Sequence, residues 1–308
     1  MDIVLQIFLL ILGFAMLVKG ADWFVDGSSG IAKKFGIPQL VIGLTIVAMG
    51  TSAPEAAVSI TAAIKGNADI TVGNIVGSNI LNVLIILGIS VLIIPLLVAK
   101  STMFLEIPFM IAITFLLLAT GYNGSIGLWE GIILLVVFII YLLYLFYMAK
   151  KNKENTEDSI KELSIAKALI FTIIGLALVV FGSHVTVEAA TKIAQEVGLS
   201  ERFIGLTIVA LGTSLPELFT SVMAARKGNA DIAIGNIVGS NIFNILFVVG
   251  LSAVIVPVPF ATSFRFDTLV AVFAGVLLMV CAIKGRKLPR WSGVVMLLCY
   301  AAYFVMIW

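Results

Sequence analysis

The chain is poor in what soluble enzymes and secreted modules rely on. Charged residues make up 12% of its 308 positions, histidine occurs once and cysteine twice. Cys281 and Cys299 lie in apolar runs with no partner at metal-ligand or redox spacing, so they read as small core residues and not as a disulfide or zinc site. There is no basic-aromatic patch and no phosphate-binding loop, so nothing points to nucleic acid. Nor does a short leader precede a polar body: apolar segments recur as far as Trp308, and the first is expected to be a retained span.

What the chain does have is apolar bulk. Hydrophobic residues reach 61% and mean hydropathy +1.18, against roughly 45–50% apolar residues in an average soluble domain. Stretches long enough to cross a ~30 Å hydrocarbon core fall near 3–20, 39–64, 69–94, 102–119 and 126–148. A second set falls near 164–181, 201–225, 231–256, 264–283 and 291–307. Between the sets lies the charge-mixed run KKNKENTEDSIKEL, Lys150 to Leu163, which reads as a solvated linker.

Displacing the sequence by 162 positions aligns residues 45–88 with 207–250 without a gap, and 29 of the 44 pairs are identical. The same frame pairs Gly20 with Gly182, Gly36 with Gly198, Pro95 with Pro257 and Trp129 with Trp291. The predicted fold is therefore an all-α polytopic membrane protein of ten transmembrane helices in two five-helix repeats, 1–149 and 164–308, joined by the cytoplasmic linker 150–163. Because five is odd, the second repeat enters the membrane from the opposite face, which makes the repeats inverted. Assigning alternate loops to two sides gives fourteen Lys and Arg on one, including Lys33, Lys100, Lys150, Lys227 and Lys287, against Lys65, Lys192, Arg202 and Arg265 on the other. The first side is expected in the cytoplasm and both termini outside the cell membrane.

The most repeated segments are the least suited to hydrocarbon. Gly50, Thr51, Ser52, Pro54 and Glu55 recur as Gly212, Thr213, Ser214, Pro216 and Glu217. Thr51 and Ser52 lie four and three residues before Glu55, so the three share a helical face. Pro54 lacks an amide hydrogen and clashes with the preceding turn, which is expected to release carbonyls at Gly50 and its neighbour Ala48; Pro216 should do the same at Gly212 and Ala210. Asn74, Ser78 and Asn82 form a polar stripe, repeated as Asn236, Ser240 and Asn244, and Gly73, Gly77, Gly235 and Gly239 permit close helix approach. Asn79 and Asn241 point away from the stripe and read as helix–helix contacts.

An ionised side chain at mid-membrane costs about 2.5–3.5 kcal/mol even on a lenient scale, and the cores of these four spans contain no Lys, Arg or His. Either the two glutamates hold protons or mobile cations neutralise them, and both describe an ion pathway. Two carboxylates match one divalent cation, while hydroxyl, amide and carbonyl oxygens suit hard ions. Proline kinks and hydroxyl contacts can also serve only to hold helices together, a reading that two symmetry-related copies of hydroxyl, proline and glutamate disfavour.

GTSAPE with GNIVGSNILN, and GTSLPE with GNIVGSNIFN, resemble the two alpha repeats of the sodium/calcium exchangers. The resemblance covers nearly the whole chain. It implies alternating access to a central cluster of sodium and calcium sites, with spans 1 and 6 sliding against the other eight. It also implies the ligands Ala48, Thr51, Ser52, Glu55, Ser78 and Asn82, with Ala210, Thr213, Ser214, Glu217, Ser240 and Asn244. GTSxPE in place of the GNxxE-type repeat of proton/calcium exchangers favours sodium as the driving ion. Asn244, where potassium-dependent relatives carry Asp, argues against potassium co-transport. No resident cofactor and no catalytic residue is implied; the partners are the two ions and the lipid bilayer, and one chain should suffice.

A proton-coupled calcium antiporter, a passive cation channel and an intramembrane hydrolase are the alternatives, in that order. Beyond the repeated polar segments, Asp22 and Asp26 near the end of span 1 read as ordinary flanking charges, with cation collection at an entrance as the alternative, and His184 as a wetted group at the end of span 6 ahead of a proton sensor. Trp23, Trp129, Trp291 and Trp308 read as interfacial anchors.

Overall fold

The computed structural model describes residues 3–151, 163–198 and 210–307. Most of the expected linker, the start of the expected span 201–225 and Trp308 lie outside the described residues. The helices are α1 (Ile3–Phe35), α2 (Gln39–Thr51), α3 (Ala53–Ile64), α4 (Ile70–Ile93), α5 (Thr102–Thr120) and α6 (Leu128–Lys151), then α7 (Ile165–Glu196), α8 (Ala210–Thr213), α9 (Leu215–Arg226), α10 (Ala230–Ile255), α11 (Thr262–Ala282) and α12 (Arg290–Ile307). Among the described residues, eight helices are long and apolar enough to cross a membrane, and α2 with α3 makes a ninth span bent by 50°. The chain is a multi-pass, mostly helical membrane protein.

The break between α2 and α3 follows from Pro54 in the first turn of α3: Ser52 leaves helical geometry at φ −81°, ψ 7°. Pro216 has the same place in α9, and Ser214 takes φ −90°, ψ 4°. Gly66 and Gly228 close α3 and α9 at φ 81° and 80°, a left-handed conformation glycine reaches without steric cost.

Two central helices form the core. The apolar windows of α10 and α4 are 83% and 78% buried, whereas those of α1 and α7 are only 22% buried and face outward. α1 and α7, at 33 and 32 residues, run well past the expected ends at 20 and 181. At ~1.5 Å per residue they are much longer than an upright crossing requires. They pack on each other through Gly13, Gly20, Gly175 and Gly182; a methyl on Gly20 would lie 2.8 Å from the Val179 amide nitrogen and 2.9 Å from the Gly175 oxygen. Such backbone contact makes the pair one stiff unit.

Two short antiparallel sheets tie the chain's first part to its second. β1 (Leu96–Leu97) pairs with β4 (Lys287–Leu288), and β2 (Ser125–Ile126) with β3 (Val258–Pro259). The displacement of 162 residues carries one sheet onto the other, Leu96 opposite Leu288 becoming Val258 opposite Ile126.

Trp129 and Trp291 are exposed on the outer surface, as interfacial anchors require. Trp23 instead stacks on Phe171, ring centres 5.5 Å apart, between α1 and α7. Both cysteines are free thiols.

Candidate functional site

Ser52 and Ser214 sit at the two helix breaks, where a serine hydroxyl would ordinarily cap its own helix; neither makes a capping bond. Each reaches across to the other half. Ser52 Oγ donates to Glu217 Oε1 at 2.8 Å, and Ser214 Oγ donates to Glu55 Oε1 at 3.2 Å. The Thr51 hydroxyl instead lies 3.0 Å from Asn236 Oδ1 and 3.1 Å from the Val47 carbonyl. Sequence spacing put Thr51, Ser52 and Glu55 on one face of one helix; the break redirects the serine hydroxyl to the opposite carboxylate.

Both glutamates are 1% exposed. Their second oxygens, Oε2 of Glu55 and of Glu217, accept no hydrogen bond from a described residue, and neither carboxylate ion-pairs with a described Lys, Arg or His. A buried anion left in this condition is destabilised by several kcal/mol, so each carboxylate needs a proton or a mobile cation. Among the described residues no three of His, Cys, Asp and Glu converge on a point.

α4 and α10 carry a layer of buried amides. Asn79 and Asn241 exchange amide-to-carbonyl hydrogen bonds, each 3.2 Å, across the pair. Their side-chain oxygens accept from Asn82 Nδ2 at 2.9 Å (Asn241) and from Asn244 Nδ2 at 3.1 Å (Asn79). That leaves Oδ1 of Asn82 and of Asn244 buried with no described partner. Asn79 and Asn241 are thus helix–helix contacts, as expected, and also orient the two amides beside them. A π-helical turn begins at each of these amides, Asn82–Leu87 and Asn244–Val249, a distortion that sequence periodicity does not register and that recurs at functional sites.

Asn74 and Asn236 brace the glutamate helices. Asn74 Nδ2 donates to Ser59 Oγ at 3.0 Å and to the Glu55 carbonyl at 3.3 Å; Asn236 Nδ2 does the same to Ser221 at 2.9 Å and Glu217 at 3.4 Å. Ser59 and Ser221 were missed by sequence reasoning, although the repeat pairs them. Gly235 and Gly239 permit the close approach expected of them: a methyl on Gly239 would lie 2.8 Å from Leu44 Cα and O, which brings α10 onto α2. A methyl on Gly77 would meet no described atom within 4 Å.

The carbonyls require a correction. The Ala48 oxygen is not released; it accepts Ser52 N at 3.0 Å, with Thr51 Oγ1 and Ser240 Oγ each at 3.3 Å. The Gly212 oxygen accepts the Ser183 hydroxyl of α7 at 2.7 Å. The oxygen that Pro216 leaves without an amide partner has thus found a side-chain donor, as buried carbonyls must. Ser78 is buried beside this layer, and Ala210 begins α8, its side chain outside the described residues.

A second correction concerns the rim. Asp22 and Asp26 are not ordinary flanking charges but lie well inside α1, where Lys227 Nζ contacts Asp22 Oδ1 at 2.7 Å, the Asp22 carbonyl at 2.7 Å and Asp26 Oδ1 at 2.5 Å. The ammonium donates all three protons and joins α1 to the end of α9. His184, also within a helix rather than at its end, is exposed 3.8 Å from Glu188.

A polytopic helical protein that directs two buried carboxylates and a shell of neutral oxygens to one place defines a membrane protein built to handle cations. This chain belongs to the sodium/calcium exchanger protein family, whose model matches residues 5–147 and 167–308. It is 34% identical over 346 residues to the sodium/calcium exchanger MaX1 of Methanosarcina acetivorans, covering 99% of each chain. It is 37% identical to the inner membrane protein YrbG of Escherichia coli, over 81% of this chain and 79% of that one. Its fold matches the solved structure of the sodium-calcium exchanger NCX_Mj soaked with zero Na+ and Ca2+, with a TM-score of 0.88, 33% identity and full coverage of both chains.

Proposed function

We propose that this protein is a secondary active antiporter that exchanges calcium for sodium across the membrane by alternating access. The observation that carries this reading is the crossed arrangement of Glu55 and Glu217, each held by the other half's serine and each left with a buried oxygen lacking a described partner. Two carboxylates neutralise one calcium ion. Asn82 and Asn244 add amide oxygens, and hydroxyls drawn from Thr51, Ser52, Thr213, Ser214, Ser78 and Ser240 make up the six to eight oxygens that calcium takes. Sodium uses subsets of the same oxygens, so the two ions compete, and competition at one site is the minimum that exchange requires. The carbonyl of Ala48 joins when the Thr51 and Ser240 hydroxyls on it turn away, and that of Ala210 is its counterpart in the repeat.

The chain is organised as ten spans in two inverted repeats, 1–149 and 164–308, with a cytoplasmic linker over 150–163 and both termini outside. The repeat frame and the exchange of the two small sheets under the same displacement support this reading. All the proposed ligands come from one chain, in keeping with a working monomer. α1 and α7, packed backbone to backbone, move as one body against the rest. The Lys227 bridge fastens that body on one side of the glutamates, while Lys65, its counterpart in the repeat, forms no ion pair among the described residues.

Calcium-45 uptake into proteoliposomes tests the coupling. Vesicles loaded with sodium are expected to accumulate calcium and sodium-free vesicles with an imposed pH gradient are not; the reverse pattern would select proton coupling, and uptake indifferent to both gradients a channel.

A further inference from the structure

One buried acid has no part in the proposed exchange. α5 opens with a π-helical turn, Thr102–Glu106, whereas its repeat counterpart lies in the uninterrupted helix α11. Glu106, at the end of that turn, is 1% exposed. Its Oε1 accepts the Tyr144 hydroxyl of α6 at 2.5 Å, while its Oε2 and the Tyr141 hydroxyl are buried without a described partner. These groups border a cavity of about 180 Å3 lined by Leu105, Glu106, Phe109, Ile140, Tyr141 and Tyr144. Leu105 and Ile140 are exposed on the outer flank, so the cavity opens toward lipid. Tyr141 stacks on Phe109 with ring centres 5.4 Å apart and lies 6.5 Å from Tyr144.

The chemistry narrows the occupant. No described Lys, Arg or His pairs with Glu106, and an unpaired carboxylate in the membrane is costly. A hard metal ion needs six or more oxygens, and among the lining residues only Glu106, Tyr141 and Tyr144 bring a side-chain oxygen. A substituted ammonium needs one anion and aromatic faces, which is what the walls offer. The cavity's depth fits an amphiphile: Glu106 follows Lys100, and Tyr144 precedes Lys150, by six residues, or roughly 9 Å of helix. That is just below the head-group region. We propose that this cavity binds the ammonium group of an amphiphile entering from the bilayer, with Glu106 as counter-charge and the rings of Phe109, Tyr141 and Tyr144 around the cation. One turn beyond, Met110 Sδ lies 3.6 Å from Asn241 Nδ2, so the cavity lies next to the polar layer of the exchange site.

The test is equilibrium binding of radiolabelled dodecyltrimethylammonium to the purified protein in maltoside micelles, and it stands independently of whether the protein exchanges ions. Saturable binding of one probe per chain is expected, falling at least tenfold in Glu106→Gln and unchanged in Glu217→Gln. Ile140→Trp, which fills the mouth and leaves the Glu106–Tyr144 bond intact, should lose binding equally and guards against misfolding of the first variant. Competition by a phosphatidylethanolamine would identify a lipid head group as the natural source, and competition by tetramethylammonium a free amine. Binding that survives both Glu106→Gln and Ile140→Trp, or that a neutral dodecyl amphiphile displaces equally well, would overturn the proposal.

Discussion

In the first half Asn74 grips Ser59 and the Glu55 carbonyl; in the second Asn236 grips Ser221 and the Glu217 carbonyl. Serine crosses to glutamate in both directions, and the asparagine pairs of α4 and α10 mirror each other bond for bond. The rims do not match. Asp22 and Asp26 hold Lys227, but the repeat puts His184 and Glu188 in their places, and Glu188 bonds Lys192 of its own helix at 2.6 Å instead. Symmetry is kept where, in the proposed exchange, both halves touch one ion. It is given up where the two sides of the membrane have to differ, since a protein latched alike at both rims would have neither side open.

The sharpest challenge to central equivalence comes from the asparagines. Asn241→Ala deletes the bond from Asn82 and the one to the Asn79 carbonyl, leaving buried partners unsatisfied at about 1–3 kcal/mol each. A clearly lower melting temperature in detergent and loss of uptake are expected, and Asn79→Ala should match it; a large disparity would break the equivalence. Ser52→Ala and Ser214→Ala each remove one donor from a carboxylate, worth about 1–3 kcal/mol. Roughly tenfold or greater weakening of apparent calcium affinity is expected in both, read from the calcium dependence of uptake. The smallest effect tests the rim. Lys227→Ala should shift the balance between the two access states a few-fold, seen as altered cysteine labelling from the two sides, whereas Lys65→Ala should not. Equal shifts would remove the asymmetry.

Much of this was legible in the sequence because bilayer thickness imposes apolar runs and because the repeat is nearly exact over its polar segments. The residues that converge at the centre, Glu55, Glu217, Asn82 and Asn244, were readable as polar groups where hydrocarbon should be. The ends of α1 and α7 were not: hydropathy closes a span at its first charges, while Asp22 and Asp26 continue a helix because Lys227 compensates them. The crossed serine bonds escaped because spacing along one helix cannot report the turn at a break. The π-helical turns at Asn82 and Asn244 escaped because one extra residue in a turn leaves no mark on an apolar helix. Glu106 was hidden in another way, as a single acid in an apolar span with its tyrosine 38 residues away.

The most direct measurement is sodium-dependent calcium-45 uptake by Glu55→Gln and Glu217→Gln, side by side with the unaltered protein in sodium-loaded proteoliposomes. A site built equally by both halves predicts that each variant falls to the level of empty vesicles. Substantial uptake retained by either one would contradict it, because one carboxylate would then suffice for the ion.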